Sequence, residues 1–548
     1  MNSRIDRPHS RGFLQKHADL LAGLMVVIGF FIRLRAASGT YLNPDEAMHF
    51  MVANRDSLKH AYQASLNLAH PPLLIFILYF LRILGTSELW LRFPSILAGT
   101  AFCWVTYKWL GELFDCTTSF IALIFLTFLP STIALSAEVR QYALLLFFCA
   151  GAGYLLEKTL TKNSPGLMLC SALSLYLAIL SHYSAFLCAA AFGVYAITRI
   201  IRERPGGTVV LTWTMAQAGS IGMAVFLYLT HISKLGTQLS GPAAQGQDFY
   251  LRNSYFDASH MNALRFIFAR TGGIFQYIFS QLVMGDLVFL FFIAGLVILW
   301  SNGKLGNTHS GKHAIDGRIL AVMLMLPFVI TCAAALAGKY PYGGSRHDAF
   351  LIPFAIAGVS LTVTRFLAHR FAAALIVSLF IVGFCNAFPA HRQPYMARAD
   401  QSSAYMNEAT KFIRTQISPS QQIFSDFQSR LLLGHYFCDR EIVSYDKTIP
   451  GFISAECHGL RMIATTASVF TFTPQSFVSN WNKMIAAFGL RPGERVWIVQ
   501  EGWNIHLPEE LRQFQEFNKL DVHYFGHNIA IFQLTVGQPL PNSELMSN

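Results

Sequence analysis

The chain has 548 residues, of which 53% are hydrophobic and 14% aromatic but only 13% charged, and its mean hydropathy is +0.41. That balance excludes an ordinary soluble domain and describes a polytopic α-helical membrane protein. A net charge of +11 would suit a nucleic-acid binder, but Lys and Arg concentrate in short links between apolar runs, where membrane topogenesis accounts for them and no nucleic-acid partner is expected.

Residues 1–19 carry Arg4, Arg7, Arg11 and Lys16 ahead of an apolar run over 20–34, which predicts a cytoplasmic N-terminus. The small residues after Arg35 offer a signal cleavage site. Arg33 and Arg35, however, stand where the apolar core of a signal would hand over to that site, so a retained span is expected. In Tyr41-Leu42-Asn43-Pro44-Asp45-Glu46 the Asn43-Pro44 break lets Asp45 cap a new helix. Capping plus one solvated acid accounts for the pair taken alone. Two acids beside a bilayer are costly, however, unless they face water, a metal or a substrate.

The run 71–84 is apolar, yet the twelve residues after Pro72 reach only about 18 Å as a helix against a hydrocarbon core of roughly 30 Å. Counting it as a span would also move every later basic link to the wrong side. Residues 45–59 and 71–84 are therefore predicted as two interfacial helices on the outer face, the first with Met48, Met51 and Val52 as its apolar stripe. Further spans are predicted at 93–112, 118–135, 142–157, 167–181, 184–201, 208–230, 279–300, 319–337, 349–365 and 371–389, about eleven with the first. Basic links at 108–115, 157–162, 199–204, 304–318 and 365–370 alternate with less basic ones at 136–141 and 181–184, which places the second set outside.

The expected organisation is a transmembrane catalytic domain over 1–389, with outer loops at 37–92 and 231–278, followed by a small α/β domain over 390–548 on the outer face. There, helices are predicted at 402–417, 475–489 and 508–518, and strands near 421–426, 440–446, 461–466, 495–500, 521–525 and 529–535. Most of the nine cysteines lie in apolar runs and read as small core residues; Cys438 and Cys457 fall in the polar C-terminal region and are free to pair if it lies outside the cytoplasm.

Five outer links hold polar clusters: Asp45-Glu46, His70, Glu138-Val139-Arg140-Gln141-Tyr142, His182-Tyr183 and Ser345-Arg346-His347-Asp348. Each has a plain structural reading: a surface ion pair for Glu138 and Arg140, a cap before Pro71 for His70, a turn contact for His182, snorkelling for Arg346. Together on one face they supply carboxylates for base work, arginines for phosphate and histidines for either. No P-loop or dinucleotide fingerprint occurs, so the activated group is expected on a lipid carrier rather than a nucleotide.

In order, Asn43-Pro44-Asp45-Glu46, His70-Pro71-Pro72-Leu73, Glu88-Leu89-Trp90-Leu91-Arg92-Phe93-Pro94-Ser95, Ser136-Ala137-Glu138-Val139-Arg140-Gln141-Tyr142-Ala143-Leu144 and Ser181-His182-Tyr183-Ser184 resemble the motifs of GT-C glycosyltransferases of the dolichyl-phosphate-mannose protein mannosyltransferase superfamily. The pattern is most similar to a bacterial branch with lipopolysaccharide galacturonosyltransferases and, more distantly, the aminoarabinose transferases of lipid A. It covers roughly residues 20–200, with a weaker echo at Arg346, where Arg346-His347 stands in place of the family's Arg-Tyr. The resemblance implies inverting transfer of a hexose or pentose from a polyprenyl-phosphate donor to an envelope acceptor, which is lipopolysaccharide, lipid A or another glycan. Transfer would take place on the periplasmic face of a bacterial inner membrane. It further implies Asp45 as catalytic base with Glu46 beside it, and substrate-binding roles for His70, Glu138, Arg140, Tyr142, His182, Tyr183 and Arg346.

Repulsion from Glu46 and a partly dry interface are expected to raise the Asp45 pKa. Two adjacent acids without a matched ligand set do not specify a divalent metal ion, and a metal requirement stays open. So do transfer to protein Ser/Thr and, from another class, a transporter with charges at mid-span or a scaffold that has no need of Asp45.

Overall fold

A computed structural model describes residues 9–233, 251–301, 304–305, 315–367, 370–390, 396, 400–439, 449–466, 469–514 and 520–537. Helix α1 (His9–Ala37) leads into three short helices, α2 (Pro44–Ala53), α3 (Leu58–Ser65) and α4 (Leu73–Leu81). The helical body follows as α5 (Glu88–Leu113), α6 (Cys116–Phe128), α7 (Pro130–Ser136), α8 (Tyr142–Lys162), α9 (Pro165–Ser181), α10 (Ala185–Glu203) and α11 (Gly207–Leu227). It continues as α12 (Ala263–Phe279), α13 (Leu282–Ser301), α14 (Gly317–Leu336), α15 (Ile352–Phe366) and α16 (Phe371–Ala387). Every predicted span is helical. Among the described residues seven helices are long and apolar enough to cross a membrane, or eight if the bent pair α6–α7 is one span. At 17 residues, α9 and α16 are shorter than the roughly 20 that a span needs.

The 63° bend between α6 and α7 has a local cause. Pro130 has no backbone N–H and drives Leu129 out of the helical region, which frees carbonyls in the last turn of α6. Arg33, fully buried, donates to Leu126 O at 2.9 Å and to Gly29 O at 3.1 Å, and Thr132 Oγ1 donates to Leu126 O and Leu129 O at 2.9 and 2.8 Å. The arginine that argued against a signal peptide thus holds a broken helix.

Two expectations about the loops are corrected. The helix expected at 45–59 is two helices, because Asn54 closes α2 and Ser57 caps α3 by accepting from His60 N at 3.2 Å. Arg82 fastens that corner, donating to Arg55 O at 2.7 Å. The region 231–278 is not simply a loop: α12 is a regular helix, capped by Asn262 accepting from Arg265 N at 3.1 Å, with Phe266, Ile274, Phe275 and Ile278 buried. Residues 234–250 lie outside the described residues.

The short strands β1 (Lys304–Leu305) and β2 (Ile315–Asp316) pair between α13 and α14. The C-terminal region holds α17 (Ser403–Gln416), β3 (Gln422–Ser425), α18 (Phe427–Tyr436), β4 (Phe452–Cys457), β5 (Leu460–Thr465), α19 (Pro474–Phe488), β6 (Arg495–Glu501), α20 (Leu507–Leu511), β7 (Val522–Tyr524) and β8 (Ile529–Thr535). Its six-stranded sheet has the order β4-β5-β3-β6-β8-β7, with β3 parallel to β5 and β6 and the other pairs antiparallel. The helix expected at 508–518 ends as α20 at Leu511, the strand expected at 440–446 lies outside the described residues, and α18 and β4 were not anticipated. Cys438 and Cys457 form a disulfide between the end of α18 and the end of β4.

The sheet region and the first loop share one core. Thr40 pairs with Ser402, Tyr41 N donates to Gln401 O at 2.9 Å, and Leu42 N donates to the Tyr436 hydroxyl at 2.7 Å. Tyr41, Phe50, Met51 and Leu78 pack in the same apolar cluster as Met406, Ile413, Leu432 and Ile531. Burying each large apolar side chain contributes about 1.5–3 kcal/mol, so the start of α2 is held from the C-terminal side as well as from the helical body.

Candidate active site

The site is built on the first turn of α2. Asn43 is the N-cap, and a capping box closes the turn: Asn43 Oδ1 accepts from Glu46 N at 3.0 Å and Glu46 Oε2 accepts from Asn43 N at 2.9 Å. Pro44 at the first helical position fixes the entry. Both Glu46 oxygens are also taken by Arg92 of α5, each at 2.7 Å, and Oε1 accepts from Val139 N at 2.8 Å. Arg92 in turn donates to Ala37 O, Thr40 O and Tyr41 O, each at 2.8 Å. Glu46 and Arg92 are both fully buried. The geometry therefore makes Glu46 a clamp on the loop backbone, with no oxygen turned to a substrate.

Asp45, one residue earlier and so about 100° away around the helix, has other partners. Its Oδ2 pairs with Arg346, from the turn before α15, and lies 3.6 Å from Arg140 Nη1, from the link before α8. Arg346 Nη1 is in addition 3.9 Å from Glu138 Oε2. Burial pushes the Asp45 carboxyl up, but the Arg140 and Arg346 guanidinia outweigh it and hold the group well below the usual carboxylate range. This corrects the expected upward shift. Glu46 does not repel its neighbour because Arg92 already matches its charge.

Beside this ion cluster stands a row of imidazoles. His49 stacks on His70 with centroids 5.8 Å apart, His70 on His182 at 5.4 Å, and His347 follows at 6.0 Å. Tyr142 lies against His70, His182 and His347, with Arg140 and Arg346 at 5.6 and 5.7 Å from its ring centroid. Burial, then the Arg140 charge, hold His49 and His182 down at about 3 and His70 well below its ordinary value, so these rings are neutral.

The fold thus gathers Asp45, His70, Glu138, Arg140, Tyr142, His182 and Arg346 from five separate links. It leaves two sequence candidates elsewhere: Glu46 is turned to Arg92, and Tyr183 bonds His231, whose Nε2 lies 2.9 Å from Ser65 O, a tie between α3 and the end of α11. It adds His49, which sequence reasoning did not single out, and His347, which it named only within the 345–348 cluster and gave no role. His49 had a signal, because it is one turn beyond Asp45 on the same helix face.

Several buried polar atoms here have no hydrogen-bond partner among the described residues, namely His49 Nε2, His70 Nδ1, Arg140 Nε and the Tyr142 hydroxyl. Each such atom costs about 1–3 kcal/mol when left unsatisfied, so their concentration fits a polar ligand. A divalent ion does not fit the acid pair: the Glu46 oxygens are filled by nitrogen donors, Asp45 faces two cations, and no metal-suited group of three or more His, Cys, Asp or Glu occurs among the described residues. A separate open groove of about 390 Å³, lined by Arg55, Asp56, His60, Gln63, Ala64 and Asn67, lies at the α2–α3 corner.

Residues 69–230 match the family model for dolichyl-phosphate-mannose-protein mannosyltransferase. The apo structure of ArnT from Cupriavidus metallidurans is similar at a TM-score of 0.52 and 11% identity, over 96% of this chain and 100% of that one. The structure of the same protein bound to undecaprenyl phosphate gives 0.51 and 12%, with the same coverage. No curated protein sequence matches this chain. At such low identity the likeness establishes a shared fold, from the first helix through the C-terminal sheet.

Proposed function

We propose that this chain, a polytopic membrane protein of the GT-C glycosyltransferase fold, moves a hexosyl or pentosyl group from a polyprenyl-phosphate donor to an envelope glycan or lipid. The observation that carries the reading is the single carboxylate of Asp45 held between Arg140 and Arg346, with neutral, hydrogen-bonding imidazoles beside it. ArnT, of the same fold, has been solved with undecaprenyl phosphate bound, a carrier of the class proposed here.

In this reaction an acceptor hydroxyl attacks the anomeric carbon from the face opposite the phosphate. The bond from that carbon to the phosphate oxygen breaks, polyprenyl phosphate leaves as the more highly charged monoester, and the hydroxyl proton passes to Asp45. Arg140 and Arg346 stabilise the charge that develops on the leaving phosphate. They also couple binding to base strength. A donor phosphate that draws the two guanidinia releases Asp45 from the cations that hold its pKa down, and burial then raises it toward a useful range. Glu46 and Arg92 position α2 without touching the reacting atoms.

We assign the Asp45 end of the helical body, and residues 390–548 as an α/β domain, to the periplasmic side of a bacterial inner membrane. The basic links at the other helix ends support this, as does the Cys438–Cys457 disulfide, which belongs in an oxidising compartment. Mass spectrometry of lipopolysaccharide, glycolipids and envelope proteins from cells with and without the chain tests the function. A hexose, pentose or uronic-acid mass lost from a glycolipid supports it, loss from protein Ser/Thr would shift the acceptor class, and unchanged glycans throughout would remove it.

A further inference from the structure

We infer that His49 is a specificity-determining residue: its Nε2 accepts a hydrogen bond from a hydroxyl of the transferred sugar, the one on the carbon next to the anomeric carbon. The inference rests on the reading of the site as a polyprenyl-phosphate-sugar transferase.

The tautomers of three rings lead to it. His49 Nδ1 lies 2.7 Å from the Asp45 backbone oxygen, which can only accept, so Nδ1 carries the ring proton. Arg140 Nη1, 3.2 Å from the same nitrogen, can only donate, and the contact is therefore not a hydrogen bond. A neutral imidazole protonated at Nδ1 has its lone pair on Nε2, on the side of the ring away from the α2 carbonyl. That atom is enclosed, in a residue only 1% exposed, and has no partner among the described residues.

His70 is the reverse case. Its Nε2 faces Arg140 Nη2 at 3.4 Å and accepts, so Nδ1 carries the proton and is the atom without a partner. In His182, Nδ1 accepts from Ser184 N at 3.1 Å, which leaves Nε2 as an N–H donor. Of these three rings, two therefore offer a donor and His49 offers an acceptor. Donors suit phosphate oxygens. A phosphodiester has no proton to give an acceptor, whereas a sugar hydroxyl has. Arg140 contacts Asp45, His49 and His70 together, so a phosphate seated on it brings the first sugar carbons against His49.

The test uses the full-length protein with a panel of undecaprenyl-phosphate-linked hexoses, pentoses and hexuronates, and the 2-deoxy counterpart of the donor that wild type turns over. His49→Phe keeps the ring stack and removes the acceptor; His49→Gln keeps an oxygen near the Nε2 position. His49→Phe is expected to lower kcat/KM for the hydroxylated donor roughly tenfold to a hundredfold. His49→Gln should recover most of that, and binding of sugar-free undecaprenyl phosphate should be unchanged. Wild type should lose a similar factor on the 2-deoxy donor, where His49→Phe loses nothing more. An equal further loss by His49→Phe on the 2-deoxy donor, or a loss confined to the acceptor KM, overturns the assignment. Turnover of no donor by wild type refutes the transferase reading itself, a result visible before any variant is made.

Discussion

Buried carboxylates occur at two places that this fold brings together, and they are driven in opposite directions. Asp45 lies between Arg140 and Arg346, which overcome burial and keep it ionised. In the C-terminal sheet Asp426 accepts from Ser429 N at 2.9 Å, Phe472 N at 3.2 Å and Gln500 Nε2 at 3.2 Å, yet burial pushes it up to about 6. Burial, with Asp426 nearby, pushes Glu501 up to about 8. Asp426 and Glu501 are fully buried and Asp45 is 14% exposed, a difference too small to reverse the direction of the shift, so it is the neighbouring cations that decide. A carboxylate between two guanidinia becomes a base only when something else takes the cations, and a carboxylate beside another acid simply keeps its proton.

The largest test of this contrast is Asp45→Asn, which retains size and hydrogen bonding but not basicity. Single-turnover transfer should fall by about 10²–10⁴ while undecaprenyl phosphate still binds; near-normal transfer would remove Asp45 from the mechanism. Glu46→Gln tests the clamp beside it. Leaving Arg92 buried without its charge partner should cost on the order of 3 kcal/mol, seen as a lower Tm, while the folded fraction keeps most of its turnover; the reverse pattern would return Glu46 to the chemistry. Arg140→Ala should raise the donor requirement roughly tenfold to a hundredfold and leave the acceptor requirement alone. Wild-type values for both would make Arg140 structural.

The last test concerns pH. Glu501 holds its proton in the folded state up to about 8 but loses it near the ordinary 4.5 when unfolded. The folded state therefore binds more protons through that window, and stability falls as pH rises across it. Glu501→Gln abolishes the dependence, so the Tm advantage of the variant should widen from pH 5 to pH 8 and then level. Parallel curves for the two proteins would show that another group titrates. Asp45 has the opposite sign: its stabilising charge pairing is complete above the ordinary 3.8 and is lost only as pH falls toward its depressed value.

Much of the helical body was readable, because apolar runs and basic links are strong one-dimensional signals. The polar links were readable for the same reason, and Arg346 meets Asp45 across a sequence separation of 301. Which acid of Asp45-Glu46 faces that meeting was implied by the family resemblance and not by the residues themselves. It depends on the rotation of α2, and that is set by Arg92, from a different helix. The depressed Asp45 pKa was missed by the same route, since the sequence shows the adjacent acid but not the cation that silences it. Helix α18 escaped because Leu431, Leu432 and Leu433 are buried on every side, between the sheet and α2, which erases amphipathic periodicity.

The pairing of Thr40 with Ser402 joins positions about 360 residues apart. At a synthesis rate of about 5–20 residues per second, the segment around Ser402 that closes over Tyr41 leaves the ribosome roughly 20–70 s after it. Through that interval the loop bearing Asp45 has its helices on one side and no cover on the other. The order of manufacture therefore makes completion of the site one of the last events in the birth of the molecule: a nascent chain that stops after α16 owns every span and Arg92 but lacks the C-terminal residues that cover the start of α2.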